Sequence, residues 1–283
     1  MIHHYTSIDT LALILKSRKI RFTRMDLVDD LTENEGLPTA IEKLAFVSCW
    51  SEDESENIAL WNMYTPKMHG VKISLPKHPW RQFVLKPGRY FDFITIHQDM
   101  KTPLPMEEIF AENYLIYPMF DFDEVDNTHS WFYKKVVYRD DYSEIYRNIL
   151  QFNQASKTHE LRGIWEIGKY KSKQWEFQRE SRYTLYCETT LPLNHPLING
   201  DRNEQLKAKF IPYNAPNDPI LKDFHNLEWI DVPLDEEYLK NVTVTLGPMC
   251  SISDAIIVEA LLKEYAPNGS MKNSPLTGRI RTK

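Results

Sequence analysis

The chain has little glycine, nine residues in 283, and carries none of the glycine-bearing signatures that cradle phosphate. No Gly-x-Gly-x-x-Gly follows an apolar run, no Gly-Lys-Ser/Thr closes a phosphate loop, and neither His-Glu-x-x-His nor Gly-x-Ser-x-Gly occurs. Nucleotide-binding doubly wound folds, zinc proteases and serine hydrolases are disfavoured on these grounds. Cysteine is equally sparse: Cys49, Cys187 and Cys250 are odd in number, far apart and part of no Cys-x-x-Cys pattern. That points to a reducing, cytoplasmic setting without a disulfide framework. No stretch approaches the roughly 20 apolar residues needed to cross a bilayer, and no basic segment followed by an apolar run opens the chain, so neither export nor a membrane is expected. An excess of base is missing too. With 34 basic and 40 acidic residues and a net charge of -6, constitutive non-specific binding to phosphate backbones is disfavoured. A local basic groove remains open, and residues 270–283 carry Lys272, Arg279, Arg281 and Lys283 without an acid.

What the chain does have is apolar and aromatic bulk. At 42% hydrophobic and 12% aromatic residues it can bury a substantial core and stack rings on a planar ligand. The pattern reads as an α+β fold in a single domain, residues 1–283, with about 98–170 as an insertion or covering lobe. A strand at 2–6, a helix capped by Ser7 or Asp9, and a strand at 20–23 form the first unit. Residues 25–36 turn acidic and irregular, with Asp26, Asp29, Asp30, Glu33 and Glu35, but lack the alternation and central Gly of a calcium loop. Strands follow at 44–50 and 70–75 around a helix with Leu60, Trp61 and Tyr64. Further strands are expected at 83–84, 90–97, 131–138 and 208–211, a short helix at 105–114, and helices at 145–152 and 160–170. Residues 118–128 and 213–219 read as loops. Near the end, an alternating strand at 242–246 precedes a helix at 255–265, expected to face Ile256, Ile257, Ala260 and Leu261 inward.

Charge, aromatic rings and strand pattern coincide in residues 171–184. Trp175 and Phe177 are bulky groups that need cover, and Glu176, Glu180 and Arg182 lie among them, where a buried charge is costly unless paired. On a strand from 180 to 187, Glu180, Arg182, Thr184 and Tyr186 share one face and Tyr183, Leu185 and Cys187 the other. The residue pattern alone leaves two readings open, a solvated Glu/Arg ladder and an oriented pair in a ligand pocket.

Several segments together resemble the bacterial domain of unknown function 2971 family. His4-Tyr5-Thr6-Ser7 is similar to its opening, Trp50-Ser51 with Leu60-Trp61-x-x-Tyr64 and Gly70-Val71 to its second block, and Trp175-Glu176-x-x-x-Glu180-x-Arg182 to its third. Leu246-Gly247-Pro248 and Lys272-Asn273-Ser274-Pro275-Leu276 resemble its closing features. The chain departs from that pattern at Asp29-Asp30, where Asn-Asp is usual, and at Phe177-Gln178-Arg179, where Tyr-Glu-Lys is usual. The order of His-Tyr-Thr, an aromatic-bearing helix and a late strand with Glu also resembles ADP-ribosyltransferases.

That resemblance implies a mixed, largely antiparallel split sheet flanked by helices around a cleft for NAD. It implies Glu180 or Glu176 as the catalytic carboxylate, and His4, Tyr5, Thr6, Ser51, Trp61, Tyr64 and Arg182 as the NAD-binding set, with His4 on a ribose hydroxyl, Tyr64 stacked on nicotinamide, and Arg182 either pairing with a phosphate of NAD or, the favoured role, fixing Glu180. No metal is implied. Cleavage of the nicotinamide–ribose bond passes through an oxocarbenium-like species, which a fixed carboxylate stabilises, and the cationic leaving group needs no protonation. The implied activity is mono-ADP-ribosylation of a macromolecule, nucleic acid or protein, in a defence or toxin setting with an antitoxin or inhibitor protein as partner. Two other classes stay open: a non-catalytic nucleotide- or partner-binding module, and a metal-independent nuclease using His4 and Glu180.

Overall fold

Local capping and alternation account for the first elements. In the computed structural model, which describes residues 1–37, 39–90, 94–111, 114–117, 132–155, 158–189 and 227–281, strand β1 (Ile2–Thr6) runs through Ser7 into helix α1 (Ile8–Ser17). Ser7 Oγ accepts from the Thr10 N–H at 3.0 Å, and Leu11, Ile14 and Leu15 turn inward. Arg18, at φ 57°, ends the helix and turns the chain into β2 (Lys19–Arg24).

The remaining strands of the main sheet are β3 (Ala45–Ser51), β4 (Val71–Leu75), β5 (Tyr114–Tyr117), β6 (Tyr133–Lys135), β7 (Glu180–Thr189), β8 (Trp229–Pro233), β9 (Thr243–Leu246) and β10 (Ser270–Asn273). They run in the order β6-β7-β3-β1-β4-β9-β10; β2 joins β3 to β8 and β5 pairs with β7. Among the described residues every pairing of this sheet is antiparallel except β9 with β10, so the fold is α+β with a largely antiparallel sheet, flanked by α1, α2 (Ile58–Tyr64) and α3 (Ile252–Tyr265). Among the described residues no helix is long and apolar enough to cross a membrane.

The ten-residue strand β7 divides the core. Tyr183, Leu185 and Cys187 enter one apolar cluster with Phe22, Trp50 and Trp80, while Tyr186 enters a second with Met25, Tyr142, Tyr146 and Tyr170. Period two thus serves two cores from one strand.

Four sequence expectations are corrected here. Residues 145–152 do not form a helix: a helical turn at Tyr142–Arg147 gives way to a strand at Leu150–Asn153, which pairs with Thr158–Leu161. Residues 160–170 likewise break, with Gly163 at φ 72° and Gly168 at φ 78° ending any helical run. The apolar spacing suits either period, and the hairpin pairing decides. Third, α3 buries Val258 and Leu262, leaving Ile256 and Ile257 61% and 48% exposed. Apolar residues lie around the whole of this helix, so packing against the sheet and α1, not periodicity, selects its inner face. Fourth, of the helix expected at 105–114 only Met106–Ile109 is helical, and Tyr114 begins β5. The strand expected at 208–211 and the loops at 118–128 and 213–219 lie outside the described residues.

Gly247, which follows β9, marks a close backbone approach behind α2. A Cβ there would stand 2.3 Å from the Met68 carbonyl oxygen and 3.2 Å from the Trp61 ring. Gly247→Ala should therefore lower stability by about 1–3 kcal/mol, read as a shifted urea midpoint with unchanged slope. An unchanged midpoint would contradict this packing.

Candidate functional site

A cleft opens where the sheet splits. β1 and β3 share one register pair, His3 with Ser51, and farther along β3 pairs instead with β2 at Val47 and Phe46. Between these points the His4 side chain replaces the missing ladder, with Nδ1 3.0 Å from the Cys49 carbonyl oxygen. A carbonyl only accepts, so Nδ1 carries the hydrogen, and Nε2 of the neutral ring is an acceptor. Burial holds the imidazole pKa below its usual value, partly offset by that bond, which keeps the ring neutral at neutral pH. The ring packs against Trp50 with centroids 5.2 Å apart.

The opposite wall comes from α2 and the start of β7. Asn57 caps α2, accepting from Ala59 N–H at 2.9 Å, while its Nδ2 donates to the Phe177 carbonyl. This ties α2 to the turn before β7 and brings Tyr64 towards Glu180. The Tyr64 hydroxyl accepts from Gln178 Nε2 at 2.7 Å. His3, His4 and Tyr5, Cys49, Trp50 and Ser51, Leu60 and Tyr64, and Gln178 and Glu180 line the cleft, which holds about 380 Å³ of space out to its open mouth.

Glu180 anchors a buried ionic cluster behind the cleft. Arg182 Nε donates to Glu180 Oε1 and its Nη2 to Oε2 at 3.2 Å, while Nη1 donates to Glu33 and, at 3.3 Å, to the Gly168 carbonyl. Lys171 Nζ donates to Gln178 Oε1 at 2.8 Å and Glu180 Oε2 at 3.3 Å, and lies 3.7 Å from Glu33 Oε2. Arg182 and Glu33 are 0% exposed and Glu180 is 7% exposed. Two cations thus balance two carboxylates where an unpaired charge would be expensive. Burial by itself would raise the Glu180 carboxyl, but Arg182 and Lys171 outweigh it and hold the group ionised, well below its usual range. Burial pushes the Cys49 thiol the other way, with Glu180 adding to the rise, which favours its protonated form. Burial likewise keeps the Tyr64 phenol protonated.

The structure therefore brings His4, Tyr5, Ser51, Tyr64 and Glu180 to one cleft. The other anticipated residues fall elsewhere. Arg182 lies behind Glu180 and reaches the cleft only through it. Trp61 is buried under Tyr5, ring centroids 4.9 Å apart, with Nε1 donating to Glu56, and so supports the wall without lining it. Thr6 is buried outside the lining. Glu176, exposed on the short 3-10 segment Lys173–Gln178, is not among the residues that line the cleft. Trp175 is half-buried under Lys171 Nζ, 4.6 Å from the ring centroid, and Phe177 is 40% exposed.

Glu33, Lys171, Gln178 and Cys49 were not singled out by sequence. Lys171 and Gln178 stand in the stretch that drew notice, where their closeness to Glu180 was the available signal. Glu33 is one acid among five in an irregular segment and carried none.

No family model matches the chain, nor does any curated protein or solved structure.

Proposed function

We propose that this chain is a mono-ADP-ribosyltransferase, or an NAD-consuming relative, that moves ADP-ribose from NAD to a nucleic-acid or protein acceptor. The observation that carries the reading is convergence: His4, Tyr64 and Glu180, from distant parts of the chain, line one cleft at the split of the sheet. Their chemistry fits the nicotinamide–ribose half of NAD. Tyr64 offers a ring for stacking, neutral His4 an acceptor for a ribose hydroxyl, and Glu180 an ionised carboxylate at the reacting carbon. Among the lining residues none is a lysine or arginine, so the cleft fits that half and leaves the pyrophosphate nearer the mouth.

In the transfer, the bond between ribose C1′ and the nicotinamide nitrogen breaks, nicotinamide leaves neutral with the bonding pair, and an acceptor atom bonds to C1′ and releases its proton. Glu180 acts by charge, not by taking a proton. A carboxyl held as low as this one is a poor general base at neutral pH, which weighs against a nuclease built on His4 and Glu180.

Purified protein mixed with NAD should release nicotinamide, followed by chromatography, with RNA, DNA and protein tested as acceptors. Tyr64→Ala should raise KM for NAD about tenfold through lost stacking, roughly 1.4 kcal/mol. Absence of release with every acceptor class would sink the proposal. One observation favours a second reading: both Glu180 oxygens already accept from Arg182 or Lys171. A silent nucleotide-binding module would bind NAD in calorimetry and release no nicotinamide.

A further inference from the structure

The acidic segment between β2 and β3 reads as irregular, yet one of its carboxylates is among the most buried groups of the described residues. Glu33 is 0% exposed and lies against Arg182 and Lys171, the two cations that hold Glu180. One residue of this segment therefore bears on both walls of the cleft, the carboxylate wall through Arg182 and the aromatic wall through Lys171 and Gln178.

The segment is built to hold this pose. Asp30 Oδ1 accepts from Thr32 N–H at 3.0 Å and Thr32 Oγ1 at 2.7 Å, and the Asp30 carbonyl accepts from Glu33 N–H at 3.1 Å. The Tyr142 hydroxyl donates to the Thr32 carbonyl at 2.8 Å, pinning the turn from outside. Gly36, at φ 95°, passes so close to Ser143 that a Cβ would stand 2.3 Å from its carbonyl oxygen.

We infer that the segment from Asp30 to Gly36 is the positioning element of the site, and that Glu33 is a positioning residue that sets Glu180 through the Arg182 guanidinium. A guanidinium is planar, so its Nη1 bond to Glu33 fixes the plane in which Nε and Nη2 meet Glu180. Lys171, 3.7 Å from Glu33 and bonded to Gln178, carries the same constraint to the Gln178–Tyr64 bond. Without Glu33 the Nη1 side of the fork keeps only the 3.3 Å bond to the Gly168 carbonyl, and the cluster is left with one excess positive charge. Glu180 then loses its aim while Tyr64 and His4 still bind the ligand.

This inference rests on the transferase reading, and the test separates the two. Glu33→Gln keeps the size and removes the charge; Glu33→Asp keeps the charge on a shorter arm; Tyr142→Phe frees the segment without touching the cluster. Leu262→Ala, a buried residue of α3 remote from the cleft, controls for lost stability. With nicotinamide release as readout below the melting temperatures, Glu33→Gln should lower kcat at least tenfold with KM for NAD within about threefold. Glu33→Asp should recover part of that loss, Tyr142→Phe should lower kcat about threefold, and Leu262→Ala should leave kcat unchanged while lowering Tm. If Glu33→Gln does not fold, the Tyr142→Phe result decides alone. Release from the unmodified chain with kcat unaltered by these changes, or reduced in proportion to Tm in all variants including Leu262→Ala, overturns the inference and leaves the reading standing. No release from the unmodified chain overturns both.

Discussion

Glu180→Gln should reduce nicotinamide release by roughly 10²–10³-fold, the loss that follows removal of one preorganised electrostatic stabiliser. The substitution keeps volume and strand register and removes the negative charge proposed to face the oxocarbenium-like centre. It also turns an amide towards the donors of Arg182 and Lys171, so one oxygen must serve both cations and stability falls as well. Calorimetric affinity for NAD, changed by no more than a few-fold, distinguishes lost chemistry from lost binding. Glu176→Gln is the matched comparison: its carboxylate is exposed and off the cleft, and turnover should persist. Equal losses in the two variants, or full release from Glu180→Gln, would remove Glu180 from the centre of the mechanism.

Arg182→Met should be the most destabilising single change in the site, costing about 3–5 kcal/mol in chemical denaturation, because it leaves Glu33 and Glu180 buried with Lys171 as their shared cation. The pH dependence has a definite sign. The Glu180 carboxyl is depressed in the folded state from its usual 4.5 to about 2, so its contribution to stability is complete above about 4.5 and lost as pH falls towards 2. Arg182 is the largest single cause of that depression. The gap between the parent protein and Arg182→Met should therefore be full at neutral pH and shrink on acidification through this window. A gap independent of pH would mean that the guanidinium acts by packing alone.

Much of the frame was legible from local rules. Ser7 before an apolar 3.6-period run predicts α1, alternation predicts β9, and the opposed faces of the strand from Glu180 place Arg182 and Tyr186 away from Tyr183 and Leu185. Each of these depends on near neighbours in the chain. The region 145–170 was misread because Ile145, Ile149 and Phe152 suit a helix by spacing, while the pairing of Leu150 with Leu161 that decides the matter is not local. The candidate site divides along the same line. His4, Tyr64 and Glu180 carried chemistry visible in their residue types, whereas Glu33 was one acid among five in an irregular segment.

By itself the sequence determined the periodicities, the caps and the need to pair a buried Glu and Arg on one strand face, because these follow from residues two to four apart. Only the tertiary structure decided which charge completes that pair. Its partner comes from 149 positions away, held by a turn pinned against Tyr142. A buried ion selects its counter-ion by position in space, and spatial position is set by sheet order and packing, which no local pattern encodes.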